Sequence, residues 1–381
     1  MNFTKLKDYI NEKYSEIRNK NYIENYNPYK INHKKKAILY YKCTTKFHKA
    51  KICTTEYQSL AIAKKLNQLG YLVTVVDRKA KFEVKQKYEL FIGAFNTGGF
   101  KNFKHILKQL KKNTKIIGLS TGANPKTMEK EFQKRKKMFF QRNKIHLKHV
   151  TRYSEINFER LKKKINFLIF FGYKKGFVEK SYITFKNKFN IQSCISDNIK
   201  FNKKKIHSSL LKNFLYYSGT GFLHKGLDLI IEFFIKHPEF NLYICSANHE
   251  KKILKYYDLK KYKNIFYEGN IVEDSDEAIK IFNKCGFLVS MNCSGGSSAA
   301  LAVGRRYGLI PVVLKNEDCN PKSCFFVKNE NFSEIKKIIL KVSKMDLHKY
   351  KKLSKENQEI SRENTSKSYS KKLDQIFRNI N

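Results

Sequence analysis

Two short glycine-bearing segments in the second half of the 381-residue chain hold the residue types best suited to chemistry. The first, Ser218-Gly219-Thr220-Gly221, follows the apolar run FLYY and precedes His224-Lys225-Gly226. Glycine admits close backbone approach to an anion, main-chain N–H groups donate to it, and a neighbouring ammonium adds a point charge. The second segment, residues 293–298 (CSGGSS), lies between the run FLVS and a helical pattern that opens at Ser298. There N–H groups and hydroxyls converge where a helix dipole favours negative charge. A tight strand-to-helix turn or a Ser/Gly cap would use the same residues with no ligand, so neither segment decides anything alone. Their weight comes from the pair: both follow strand-like runs, and in a doubly wound sheet both would sit on one carboxyl edge with an anion between them.

The elements that must position these segments read as alternating strands and helices, the pattern of β-α-β units and parallel sheets. In the first half, strands are predicted at residues 37–42, 71–77, 90–94, 116–119 and 165–171, with helices at 56–69 and 105–111. The strand at 165–171 is expected to close this sheet. The loop STGANP at 120–125 ends the fourth strand, and a basic amphipathic stretch at 127–149 follows. Periodicity fades at 186–205, which is taken as the connection between two domains. A second sheet is expected from strands at 214–217, 241–245, 264–267, 287–290 and 310–314, with helices at 227–234 and 298–307. From residue 334 onward the pattern is helical and highly charged, with Leu373, Ile376 and Phe377 forming an apolar stripe. The expected division is 1–200, 201–360 and a crossing helix at 361–381.

With 78 Lys+Arg against 33 Asp+Glu the formal charge is +45. Abundant Lys, Asn, Ile, Tyr and Phe with 5 Pro and no Trp is also what an AT-rich coding sequence imposes on any fold. The charge therefore has two readings, compositional drift or a field that gathers anionic partners such as nucleotide diphosphates, phosphorylated glycans, acidic lipids or nucleic acid. The first 36 residues hold no long apolar run, and no segment reaches the roughly 20 apolar residues of a membrane span, which leads to an expected cytoplasmic location, with peripheral contact at an anionic membrane face open. The eight cysteines lack C-x-x-C spacing and are expected to be buried thiols.

The motifs in residues 215–313 resemble the GT-B glycosyltransferases, of the retaining group 1 (family 4) type. GTGFLHKGLDLIIEFF at 219–234 is similar to that family's glycine-rich turn, Lys-Gly pair and helix; NIFYEGNI at 264–271 resembles the strand and turn bordering the nucleotide base; CSGGSSAALAVGRRYGLIPVV at 293–313 resembles the donor-binding loop, helix and following strand. The first half matches more loosely, through its strand-helix order, Glu56 and STGANP. The resemblance implies an α/β chain of two facing Rossmann-like domains, a nucleotide-sugar co-substrate held by the C-terminal domain, a glycan, lipid-linked or protein acceptor on the N-terminal one, and metal-independent transfer with Lys225 and backbone donors stabilising the leaving diphosphate. It implies Gly219, Thr220, Gly221, Gly269, Asn270, Ile271, Ser294, Gly295, Gly296, Ser297 and Ser298 as binding positions, and Lys225, His224 and Asn124 as candidates for the reacting centre.

Three departures accompany the match. Thr220 stands where relatives carry an Arg, the two glutamates of the family pattern fall on Gly295 and Val303, and Asn124 replaces a His. Arg305 and Arg306 are new cations near the site, for which a solvated helix face is the default expectation; the same default applies to Arg135, Arg142 and Arg152. Glu317 and Asp318, at the end of a strand, are expected to meet sugar hydroxyls or face water. His48, His105, His146, His149 and His224 show no metal-ligand spacing, and no metal is expected. Besides an active transferase, two alternatives stand: a catalytically inactive binding protein of the same fold, and a basic nucleic-acid binder.

Overall fold

The computed structural model describes residues 21–43, 54–96, 100–146, 151–153, 156–201, 205–246, 251–296, 298–322 and 324–380. Seven strands form the first sheet: β1 (Tyr22–Tyr26), β2 (Lys35–Tyr41), β3 (Tyr71–Asp77), β4 (Leu90–Ala94), β5 (Lys115–Ser120), β6 (Phe167–Phe171) and β7 (Lys188–Ile191), in the order β1-β3-β2-β4-β5-β6-β7. All neighbours are parallel except β1, which runs antiparallel against β3. The second sheet holds β8 (Asn213–Ser218), β9 (Asn241–Ser246), β10 (Ile265–Gly269), β11 (Phe287–Ser290), β12 (Ile310–Leu314) and β13 (Phe325–Val327), all parallel, in the order β10-β9-β8-β11-β12-β13.

Central strands such as LFIGA and IPVVL are buried along their whole length, because helices cover both faces and leave no polar side to the pleat. Over the first sheet lie α1 (Thr54–Gln68) and, on the other face, α2 (Phe100–Gln109). Helix α3 (Pro125–Asn143) starts where Asn124 accepts from the N–H of Lys126 and Pro125 fills the first turn, and it ends at Lys144 in the left-handed region. The remaining helices are α4 (Phe158–Leu161), α5 (Phe177–Ser181), α6 (Phe222–Lys225), α7 (Leu227–Lys236), α8 (Lys251–Tyr257), α9 (Asp276–Lys284), α10 (Ala299–Arg306), α11 (Phe332–Ser343), α12 (Leu347–Ile360) and α13 (Ser366–Ile380).

Two helices cross from one sheet to the other. Tyr369, Leu373, Ile376 and Phe377 of α13 enter the core beside α1 and β6, so the apolar stripe near the chain end closes over the first sheet. Helix α3 does the reverse: it belongs to the first half by sequence, yet Phe132 and Phe139 join the core beneath the second sheet with Phe222, Leu227 and Ile230. Over its described residues, 127–146, the basic stretch is thus not a free face. Residues 186–205 hold β7, so the strand at Phe167–Phe171 does not end the sheet and the segment is more than a connection. Among the described residues no helix is long and apolar enough to cross a membrane.

Candidate functional site

In the second sheet, β8 lies between β9 and β11, so the strand order reverses direction beside it. Open α/β sheets bind ligands at such a reversal, because the loops leaving the two strands turn to opposite faces and open a crevice. The two loops that leave β8 and β11 are those carrying Gly219 and Gly221 on one side and Ser294, Gly295 and Gly296 on the other. Facing them are the carboxyl ends of the first sheet. The resulting cleft, of about 360 Å³, is lined from the first half by Tyr41, Gln58, Arg78, Thr121, Arg152 and Ser193, among others, and from the second by Ser218, Gly219, Lys225, Asn292, Gly295, Gly296 and Ser298, where α10 begins with Ala299 and Ala300. Three cations line it, and among the described residues no Asp or Glu does.

The loops are fastened to one another. Cys293 donates its N–H to the carbonyl of His224 (3.1 Å), and the His224 Nε2 meets Ser294 Oγ. The ring of His224 is buried against Phe132, and burial together with Lys225, Arg152 and Arg135 holds it well below the usual histidine range, hence neutral. His224 is therefore a strut between the loops and does not line the cleft. Ala123 N–H reaches the carbonyl of Ser294 (3.4 Å), tying STGANP to the same edge. STGANP is itself held by Asn96, whose amide donates to Ser120 Oγ (2.9 Å) and accepts from Thr121 N–H (3.0 Å), and by Tyr182 against Ser120 (2.8 Å). Asn96 and Tyr182 carry no motif that sequence reading would select.

Lys225 is half-buried on the cleft wall at the end of α6. Burial lowers its pKa, Glu317 opposes that, and Arg152 adds to it. Glu317 is buried, accepts from Ser290 Oγ (3.2 Å), and is pushed up by burial while Lys225 pulls it back. It faces protein, not water or the cleft. Asp318, also buried, accepts the N–H of Phe177 (2.7 Å) at the start of α5, which joins the second half to the first. Its carboxyl is pushed up by burial to about 6 against these N–H donors.

A carboxyl whose folded pKa exceeds its unfolded value near ~4 stabilises the fold in its protonated form: that contribution is complete below the unfolded pKa and lost as pH rises through the folded one. Asp318→Asn keeps an acceptor for Phe177 but does not titrate. The wild-type melting midpoint minus that of Asp318→Asn is expected to fall between about pH 4 and about pH 7; a difference flat with pH would remove Asp318 from this role.

Gly295 explains one lost carboxylate. Its φ of +72° lies in the left-handed region, and an added Cβ would stand 2.6 Å from Phe177 and 2.9 Å from the carbonyl of Asn316. Val303 is buried in the core on the face of the second sheet opposite α3. Neither position has room for a glutamate. Gly295→Glu is accordingly expected to lower the unfolding midpoint by several degrees and to bring no gain in sugar-nucleotide affinity; calorimetric melting and titration check both halves of that expectation.

The other candidates divide. Thr220 and Gly221 belong to the first loop, and Ser298 lines the cleft. Gly269 ends β10, two strands from β8, Asn270 and Ile271 follow it, and none of the three is among the lining residues; Ile271 is buried. Asn124 spends its side chain capping α3 and lines a separate groove with Lys126 and Asn157. Ser297, His48, His149 and Cys53 lie outside the described residues; the other seven cysteines are free thiols.

The arginines differ from a solvated helix face. Arg305 is buried and donates to Cys319 Sγ and the carbonyl of Asn320 (both 2.9 Å). Arg306 is buried with its guanidinium 4.2 Å from the centre of the Phe201 ring. Neither reaches the cleft. Arg135 is fully buried under the second sheet, and Arg142 pairs with Asp228 (2.6 Å) and Glu232 (2.7 Å). Position on a helix gives no hint of this, since burial depends on which body the helix docks against.

No protein-family model matches the chain, and no curated protein matches it by sequence. Solved structures do match in fold. A sucrose-phosphate synthase from Thermosynechococcus elongatus superposes with a TM-score of 0.61 at 10% identity, over 91% of this chain and 99% of that one. HepE of Anabaena, in complex with UDP and glucose, gives 0.56 at 10% identity over 91% and 100%. TarM gives 0.52 at 14% identity over 76% of this chain, which spans 54% of the length of TarM. The chain has the GT-B fold of these proteins, two Rossmann-like sheets facing across a cleft.

Proposed function

We propose that the chain transfers a sugar from a nucleotide-sugar donor to a glycan, lipid-linked glycan or protein acceptor, without a divalent metal and with retention at the transferred carbon. The observation that carries this reading is the cleft at the strand-order reversal, lined by Lys225, Arg152, Arg78 and glycine backbone, with no carboxylate among the described lining residues. A site of that make-up favours an anion. Charge that builds on a departing diphosphate would meet Lys225, loop N–H groups and the start of α10 already in place, which is how a fixed polar site lowers a barrier. These cations occupy the role a metal ion would otherwise take. Similar folds support the donor class: HepE was solved with UDP and glucose, and an Arabidopsis thaliana starch synthase IV with TM-score 0.52 was solved with ADP and acarbose.

One observation favours a second reading, a binding protein of this fold that no longer turns over. Gly295 and Val303 leave the donor sugar without the two expected carboxylates. The deciding experiment is a thermal-shift screen with UDP, GDP, ADP and their sugar conjugates, followed by assay of sugar release from whichever conjugate stabilises the protein. Stabilisation with turnover supports the transferase. Stabilisation with no turnover on any glycan, lipid or peptide acceptor selects the binding protein, and no stabilisation by any nucleotide sinks both.

A further inference from the structure

The first loop presents a hydroxyl, Thr220, where a second cation would be expected for a diphosphate. That hydroxyl accepts a hydrogen bond from Arg152 Nη1 at 2.8 Å. Arg152 comes from the segment after α3, 68 residues earlier in the chain. Its neighbour Tyr153 explains how it gets there: the ring packs 5.9 Å from that of Phe132, and its hydroxyl accepts from Gln133 (3.1 Å), so the segment rides on α3 onto the second half. The Arg152 stem lies along the loop itself. At Gly221, with φ +103°, an added Cβ would stand 2.9 Å from Arg152 Cγ and 3.1 Å from its Cδ, so any other residue there would lift the arginine off. Arg152 lines the same cleft as Lys225 and Gly219. Of the other cations nearby, Arg78 lines the cleft from the end of β3, and Arg305 and Arg306 are turned to Cys319, Asn320 and Phe201.

We infer that Arg152 is the second cation for the diphosphate of the nucleotide donor, supplied by the chain's first half to the second half's binding loop, with Thr220 as the positioning residue. This assignment rests on the cleft being a nucleotide-sugar site. An arginine fork suits two oxygens of a pyrophosphate better than one point charge does, and its charge acts together with Lys225 on the same group.

The test is titration calorimetry with UDP, GDP, ADP and the matching monophosphates on the wild type, Arg152→Ala, and the double variant Arg152→Ala/Thr220→Arg, which moves the cation onto the loop. For the base that binds the wild type, Arg152→Ala is expected to lose about 10- to 100-fold in diphosphate affinity and under about 3-fold in monophosphate affinity, and the double variant to regain most of the loss. Equal losses for diphosphate and monophosphate, or none, overturn the assignment while leaving the nucleotide site standing. If the wild type binds none of the three diphosphates, the nucleotide reading and this assignment fall together. Should Arg152→Ala not fold, Arg152→Gln keeps the stem on Gly221 without the charge, and the same comparison decides.

Discussion

Arg135→Ala is expected to destabilise the protein by about 3–5 kcal/mol, because it removes the positive partner from a buried network and leaves carboxylates behind. The guanidinium is fully buried and donates to the carbonyls of Leu223 (3.0 Å) and Met291 (2.7 Å) and to Glu330 (2.6 Å), while Asp228 lies 3.6 Å away. Burial works against its charge, and Asp228 and Glu330 outweigh burial, holding its pKa above the ordinary arginine value. Without it, Glu330 loses its ion pair and Asp228 keeps only Arg142. Urea unfolding of the single variants and of Arg135→Ala/Glu330→Ala gives the check. The double variant should lose less than the sum of the two, since the second truncation removes the charge stranded by the first. A loss under about 1 kcal/mol for Arg135→Ala would place the residue among surface pairs and undo the docking of α3 described above. The same carbonyls belong to the residues that precede Lys225 and the Asn292–Gly296 loop, so Arg135 also sets the site's floor.

Lys225→Ala is expected to weaken nucleoside diphosphate binding by about 10- to 150-fold, the worth of one charge-assisted contact of about 1.5–3 kcal/mol. Burial and Arg152 lower its pKa while Glu317 raises it, so in the wild type the affinity should decline on the alkaline side at a pH below the ordinary lysine range. Glu317→Gln removes the group that keeps the ammonium charged. The alkaline decline should then begin at lower pH, and Lys225→Arg, which does not titrate there, should abolish it. Titration calorimetry across pH reads both effects, and an unaltered affinity in Lys225→Ala would move the anion site elsewhere in the cleft.

The strands Tyr71–Asp77, Leu90–Ala94, Phe287–Ser290 and Ile310–Leu314 are legible to the residue, because a parallel strand buried on both faces must be apolar throughout and turn residues bound it. Three of the four edge strands are not: YIENY and KFNI carry polar residues as loops do, and FFV is only three residues long. Arg135, Arg305 and Arg306, expected in water, and Glu317 and Asp318, expected in water or against sugar hydroxyls, are buried, which the sequence does not reveal: a charged residue on a helix or after a strand has no local mark of burial, and its partners come from elsewhere in the chain.

By itself the sequence determined the two β-α alternations and the identity of both glycine loops, since glycine, apolar runs and helical spacing act over a few residues. Tertiary structure decided what those loops do. Pairing β8 with β11 brought them together, α3 carried Arg152 to Thr220 and Arg135 beneath the floor, and Phe177 closed the space at Gly295. Charge and volume act through space, so a cation missing from position 220 can be supplied by a residue 68 positions away, and no reading of neighbours along the chain can see it.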